Sequence, residues 1–115
     1  MKYPDGAYYL AGYAVECALK ACIAKATVRH DFPAKKKVDD SHTHSLEKLI
    51  KVAKLEEAWS ERVRIDSRFR TSWEIVQSWS ELSRYKKHDL ETAKEFIAAV
   101  NDRAYGVMAW IKQHW

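Results

Sequence analysis

Residues Asp5 to Val28 read DGAYYLAGYAVECALKACIAKATV, and this stretch decides the fold. Ala, Leu, Cys and Lys dominate it, no proline interrupts it, and Pro4 stands immediately ahead, where a first helical turn tolerates it. The pattern predicts one long helix. At 100° per residue, Leu10, Ala14, Cys17, Ala21 and Ala24 line one side, while Ala11, Val15, Ala18, Leu19 and Cys22 line another. The expectation is a helix buried on two faces, with a narrow polar stripe of Gly12, Glu16 and Lys20. Its most apolar part, Ala7 to Ile23, is broken by Glu16 and Lys20, which makes it too short and too polar to span a bilayer.

The remainder of the 115-residue chain holds few turn formers: it has three glycines and two prolines in all. An all-β sandwich or barrel needs many more turns, so helices must carry the fold. Arg29 to Ser41 reads as a loop broken by Pro33. A second helix is predicted from Thr43 as N-cap, carrying Leu46, Leu49, Ile50 and Ala53 and ending before Ser60. Glu61 to Arg70, with Arg62, Arg64, Arg68 and Arg70, holds the connection into a third helix marked by Phe69, Trp73, Val76, Trp79 and Leu82. The fourth begins at His88 or Asp89 and runs nearly to Trp115, with Leu90, Ala93, Ile97, Val100, Ala104, Val107 and Ile111 on one stripe. The expected fold is a single all-α domain over residues 1–115, an up-down four-helix bundle. In that topology Lys35 to Lys37, His42, His44, Arg84, Lys86, Lys87 and His88 share one pole, and the Arg62 to Arg70 cluster takes the other.

Twenty Lys plus Arg against 16 Asp plus Glu leave a net charge of +4, and 47% of residues are hydrophobic. That balance excludes whole-chain disorder and a coiled-coil rod. The N-terminus lacks the basic, apolar and small-residue succession of a secretory signal, so a cytoplasmic location is expected. Cys17 and Cys22, five apart on a helix, have Cα atoms about 8 Å apart, beyond disulfide reach, and read as reduced core residues.

The segment Trp79-Ser80-Glu81-Leu82-Ser83-Arg84-Tyr85-Lys86-Lys87-His88 is the most site-like, because it sets a guanidinium and an imidazole near a helix start. Arginine grips two phosphate oxygens through its fork, and histidine titrates near neutrality and can move a ribose hydroxyl proton. The same residue types are also ordinary at a solvated helix junction. Asp39, Asp40, His42 and His44 are metal-ligand types, but an H-x-H pair in a loop lacks the helical spacing that brings both rings to one ion, so no metal is expected. Glu16 and Lys20 form an i, i+4 pair on an apolar helix, which must face solvent, a polar groove or a partner. The five tryptophans and six tyrosines exceed what a small core needs, so a homodimer or a protein partner is expected. No glycine-rich phosphate loop, G-x-S-x-G, C-x-x-C or H-E-x-x-H is present, and no cofactor is implied.

The run Asp5 to Ala21, DGAYYLAGYAVECALKA, resembles the first long helix of HEPN-domain proteins. Three further stretches agree in order: His44-Ser45-Leu46-Glu47-Lys48-Leu49, Trp79 to Tyr85, and Gly106-Val107-Met108-Ala109-Trp110-Ile111. The family often carries more chain ahead of this helix. The resemblance implies an all-α bundle, usually dimeric, often encoded beside a small nucleotidyltransferase in toxin and antitoxin pairs. Active members resemble one another in an R-x(4–6)-H motif that acts as a metal-independent endoribonuclease at the dimer cleft. Here Arg84 and His88 enclose three residues, and Tyr85 stands where Asn or Asp commonly follows the arginine.

The leading expectation is therefore a HEPN-type module that binds nucleotide or RNA phosphate through Glu16, Lys20, His44, Arg84, Tyr85, Lys86 and Lys87 and acts with a partner. The alternatives are a ribonuclease, with His88 as general base and Arg84 steadying the phosphate, and a purely structural dimeric assembly unit.

Overall fold

A computed structural model describes residues 3–29, 44–80 and 87–114. The described residues form six helices and no strand: α1 (Pro4–Arg29), α2 (Leu46–Val52), α3 (Glu56–Ile65), α4 (Ser67–Val76), α5 (Leu90–Asn101) and α6 (Val107–Lys112). The described residues are all-α, as expected. None of the described helices is long and apolar enough to cross a membrane.

The helix boundaries follow from local chemistry. Ser45 caps α2 by accepting from the Lys48 amide; Thr43, the expected cap, lies outside the described residues. The predicted second helix is cut at Val52, because Lys54 adopts φ 60° and the amides of Lys54 and Leu55 turn back to the carbonyls of Lys51 and Ile50. These two bonds form a Schellman closure with lysine in the left-handed position that glycine favours. Glu61 to Ile65, read as connection, is the second half of α3. Asp66 makes the elbow into α4: its amide donates to the Arg62 carbonyl at 2.9 Å, and its Oδ1 accepts from the amides of Arg68 and Phe69 at 3.0 and 3.1 Å. Asp89 caps α5 through the Thr92 amide at 2.7 Å.

The predicted fourth helix is also cut. At Asp102 the side chain accepts from the amides of Ala104 and Tyr105, both at 2.8 Å, and the chain restarts at Gly106. A side chain at Gly106 would overlap the Asp102 backbone, so this tight return needs glycine. Ala104 and Leu90, expected on the buried stripe, are exposed, and Phe96 and Ala99 are buried instead.

The core gathers where α1 packs against α2, α5 and α6, and α4 against α5. Tyr8, Val15, Leu19 and Ile23 of α1 meet Leu49, Ile50, Phe69, Trp73, Phe96, Val100, Trp110 and Ile111 in one cluster. Only one of the two apolar faces assigned to α1 enters it. Val15, Ala18, Leu19 and Cys22 are buried, whereas Leu10, Ala14, Cys17, Ala21 and Ala24 are exposed. The stripe read as polar goes inward, with Gly12 and Glu16 buried and Lys20 partly so. Bulk explains the choice, since burying Tyr8, Val15, Leu19 and Ile23 removes far more apolar surface than burying a row of alanines. Cys17 is thus a surface thiol and not a core residue, while Cys22 is in the core.

Candidate functional site

Two histidines dock on α1, at different heights. Glu16, on the inward side of α1, is 2% exposed and is the one charged side chain among the buried described residues. A carboxylate taken out of water must be partnered, and two groups meet it. Nδ1 of His44 donates to Oε1 at 2.7 Å, and Nζ of Lys20 lies 3.8 Å from Oε2. Burial is graded across the trio, with Lys20 33% and His44 46% exposed. A buried acceptor therefore orients two half-exposed nitrogen groups toward solvent. Such a carboxylate fixes both the ring orientation and the tautomer of an imidazole. His44 reaches this place because Ser45, the next residue, caps α2, and Leu46, Leu49 and Ile50 anchor α2 in the core.

The neighbouring turn of α1 is shaped by Gly12, four residues before Glu16. A side chain there would overlap the indole of Trp79, so the glycine lets this ring lie directly on the α1 backbone. Tyr9 flanks Trp79, with ring centroids 5.8 Å apart.

His88 docks nearer the start of α1. Its ring stacks on Tyr8, with centroids 3.8 Å apart and planes 11° from parallel, and its amide donates to Oδ1 of Asp5. Tyr8 is itself buried against Phe96 at 4.1 Å. By helical rise Tyr8 and Glu16 are about 12 Å apart. The expectation that His44 and His88 share one pole, at the far end of α1, is thereby corrected: His88 sits at the α1 start and His44 midway along. The cause is the extra elbow at Asp66, which adds a helix before α4 returns Ser78 to Tyr8, Oγ to OH 3.5 Å.

Of the residues expected at the site, Glu16, Lys20 and His44 are brought together. Lys87 and His88 belong to the second location, with Lys87 exposed. Arg84, Tyr85 and Lys86, like Lys35 to Lys37 and His42, lie outside the described residues. In the arginine-rich stretch, three of the four guanidiniums are engaged within the fold. Arg62 Nε lies 3.3 Å from Asp66 Oδ2, Arg64 donates to Glu61 at 2.6 Å, and Arg68 binds the hydroxyl of Tyr105 while lying over its ring. These partners leave that region a weaker phosphate site than its charge count implies. A shallow hollow on α3, lined by Glu56, Glu57, Ser60, Glu61 and Arg64, is mainly acidic and disfavours anions. Among the described residues no group of three or more His, Cys, Asp or Glu side chains is placed to hold a metal ion.

No family model, no curated protein and no solved structure matches this chain.

Proposed function

We propose that this protein is a small HEPN-like helical module that binds nucleotide or RNA phosphate and acts with a partner, a second copy and a nucleotidyltransferase of a toxin-antitoxin-like pair. The four-helix arrangement belongs to this proposal, with α1, α2 with α3, α4, and α5 with α6 as its four segments, but without strict up-down alternation, because α4 ends and α5 begins beside the start of α1. One observation carries the reading: the buried Glu16 carboxylate holds His44 and Lys20 side by side and half-exposed. Lysine supplies a fixed charge for a phosphate oxygen, and imidazole supplies a donor that strengthens on protonation. Lys87, exposed beside His88, adds a further donor, and Arg84, Tyr85 and Lys86, just ahead of it in the sequence, complete the proposed binding set. Titration of a ribonucleoside triphosphate into the protein tests this. Lys20→Ala and His44→Ala are each expected to weaken binding by about tenfold, the loss of roughly one charge-assisted hydrogen bond. Affinity unchanged in both would remove the site.

The ribonuclease reading, with Arg84 and His88 as the acting pair, is favoured by one feature: stacking on Tyr8 fixes the ring plane of the half-buried His88, while Asp5 holds its backbone amide. Incubation of labelled RNA in EDTA decides it, since cleavage lost in both Arg84→Ala and His88→Ala would establish that chemistry.

A further inference from the structure

The outward face of α1 is apolar and exposed. Tyr3 is 70%, Leu10 62% and Tyr13 44% exposed, and Gly6, Ala14, Cys17, Ala21 and Ala24 are exposed with them. These eight residues fall within an arc of about 100° on the helix and extend over about 32 Å. No charged residue interrupts them. A surface helix normally turns its charges outward, and a continuous uncharged stripe marks an interaction surface.

The order of residues along the stripe identifies what covers it. Positions 3, 6, 10, 13, 14, 17, 21 and 24 are symmetric about the midpoint between Tyr13 and Ala14: each has a counterpart whose number completes a sum of 27. Size alternates across that midpoint. Tyr3 pairs with Ala24, Leu10 with Cys17, Tyr13 with Ala14, and Gly6 with Ala21. A large side chain therefore meets a small one in three pairs, and two small residues meet in the fourth. An interface between identical copies must be self-complementary about a two-fold axis, and this stripe has that property in one antiparallel register. Covering it removes on the order of 600 Å² per copy, or about 1,200 Å² for the pair, at the low end of specific interfaces.

We infer that two copies of this chain associate through α1, antiparallel, with the two-fold axis passing beside Tyr13 and Ala14. This rests on the dimeric part of the function proposed above and adds the surface and the register. The small residues let the two backbones approach closely, and the tyrosines and Leu10 fill the gaps they leave. Lys20 borders the stripe, and the axis keeps both copies of it on the same side of the dimer, about 20 Å apart along the helices. One face would then present both Glu16, Lys20 and His44 sites to a single polyanion.

Sedimentation equilibrium with cysteine cross-linking tests the register. The wild type is expected at twice 13.4 kDa, and Ala14→Glu, which sets two carboxylates at the axis, at the monomer mass with unchanged helical circular dichroism. In a Cys17→Ser background, Ala14→Cys should form a disulfide-linked dimer on mild oxidation, because across the axis the two Cα atoms approach to about 5 Å. Ala24→Cys should not, since its copies are about 31 Å apart. A dimer that survives Ala14→Glu, or cross-links as well through Ala24→Cys, overturns this interface and leaves the dimeric function standing. A wild-type monomer at about 1 mM, where even weak pairs associate, overturns both.

Discussion

Nδ1 of His44 lies 2.7 Å from Oε1 of Glu16, joining a half-exposed residue at the start of α2 to a carboxylate that is 2% exposed in the middle of α1. Twenty-eight positions separate the two in sequence. Removing either partner alone leaves the other poorly satisfied, and for Glu16 the cost is larger because water cannot replace the lost donor. A double-mutant cycle with Glu16→Gln and His44→Ala is expected to show a coupling of about 1 kcal/mol in urea unfolding. Additive effects would show that the contact does not hold α2 to α1.

Gly12 gives the second prediction. Because a Cβ at this position overlaps the Trp79 indole, Gly12→Ala must displace a large buried ring despite alanine being the better helix former. A loss of about 1 to 3 kcal/mol is expected from the overpacking, with a shift in tryptophan fluorescence. A stabilised variant would place Trp79 elsewhere.

Two helix ends respond in opposite directions. Lys54→Gly relieves the left-handed strain at φ 60° and should raise stability by about 0.5 to 1 kcal/mol. Asp66→Ala removes the cap shared by two amides of α4 and should lower it by about 1 kcal/mol. Urea midpoints at constant slope measure both.

Acid should loosen the caps first. Hydrogen bonding to Thr92 holds the Asp89 carboxyl below its ordinary value, and the amides of Tyr105 and Ala104 do the same for Asp102. A carboxyl whose folded pKa is depressed adds stability that is complete above the unfolded pKa, near 3.8, and is lost as pH falls through the folded value. Stability should therefore drop on acidification below about pH 4, and the drop should shrink in Asp89→Asn with Asp102→Asn. An identical acid profile in that double variant would contradict the assignment.

The helical class was legible from the scarcity of Gly and Pro and from the alanine-rich run. The inward face of α1 was not. Counting apolar positions gave two equal stripes, because alanine scores as apolar on either side; weighting by bulk, through Tyr8, Val15, Leu19 and Ile23, would have chosen the buried one. The Asp66 elbow carried a local signal, an aspartate placed to accept from amides two and three residues on, but the surrounding helix formers masked it. Glu16 and Lys20 were visible as an i, i+4 pair, whereas their union with His44 depends on a tertiary approach that no local spacing encodes. The same holds for His88, whose position follows from the stack on Tyr8.

Phosphate recognition is the central claim, and binding of a labelled single-stranded RNA, followed by fluorescence anisotropy in EDTA across a salt series, tests it most directly. Wild-type binding should weaken steeply with salt, as phosphate neutralisation requires, without cleavage of the strand. Lys20→Glu should abolish it, and Arg84→Glu likewise. Equal, salt-insensitive binding by the wild type and both charge reversals would contradict the account.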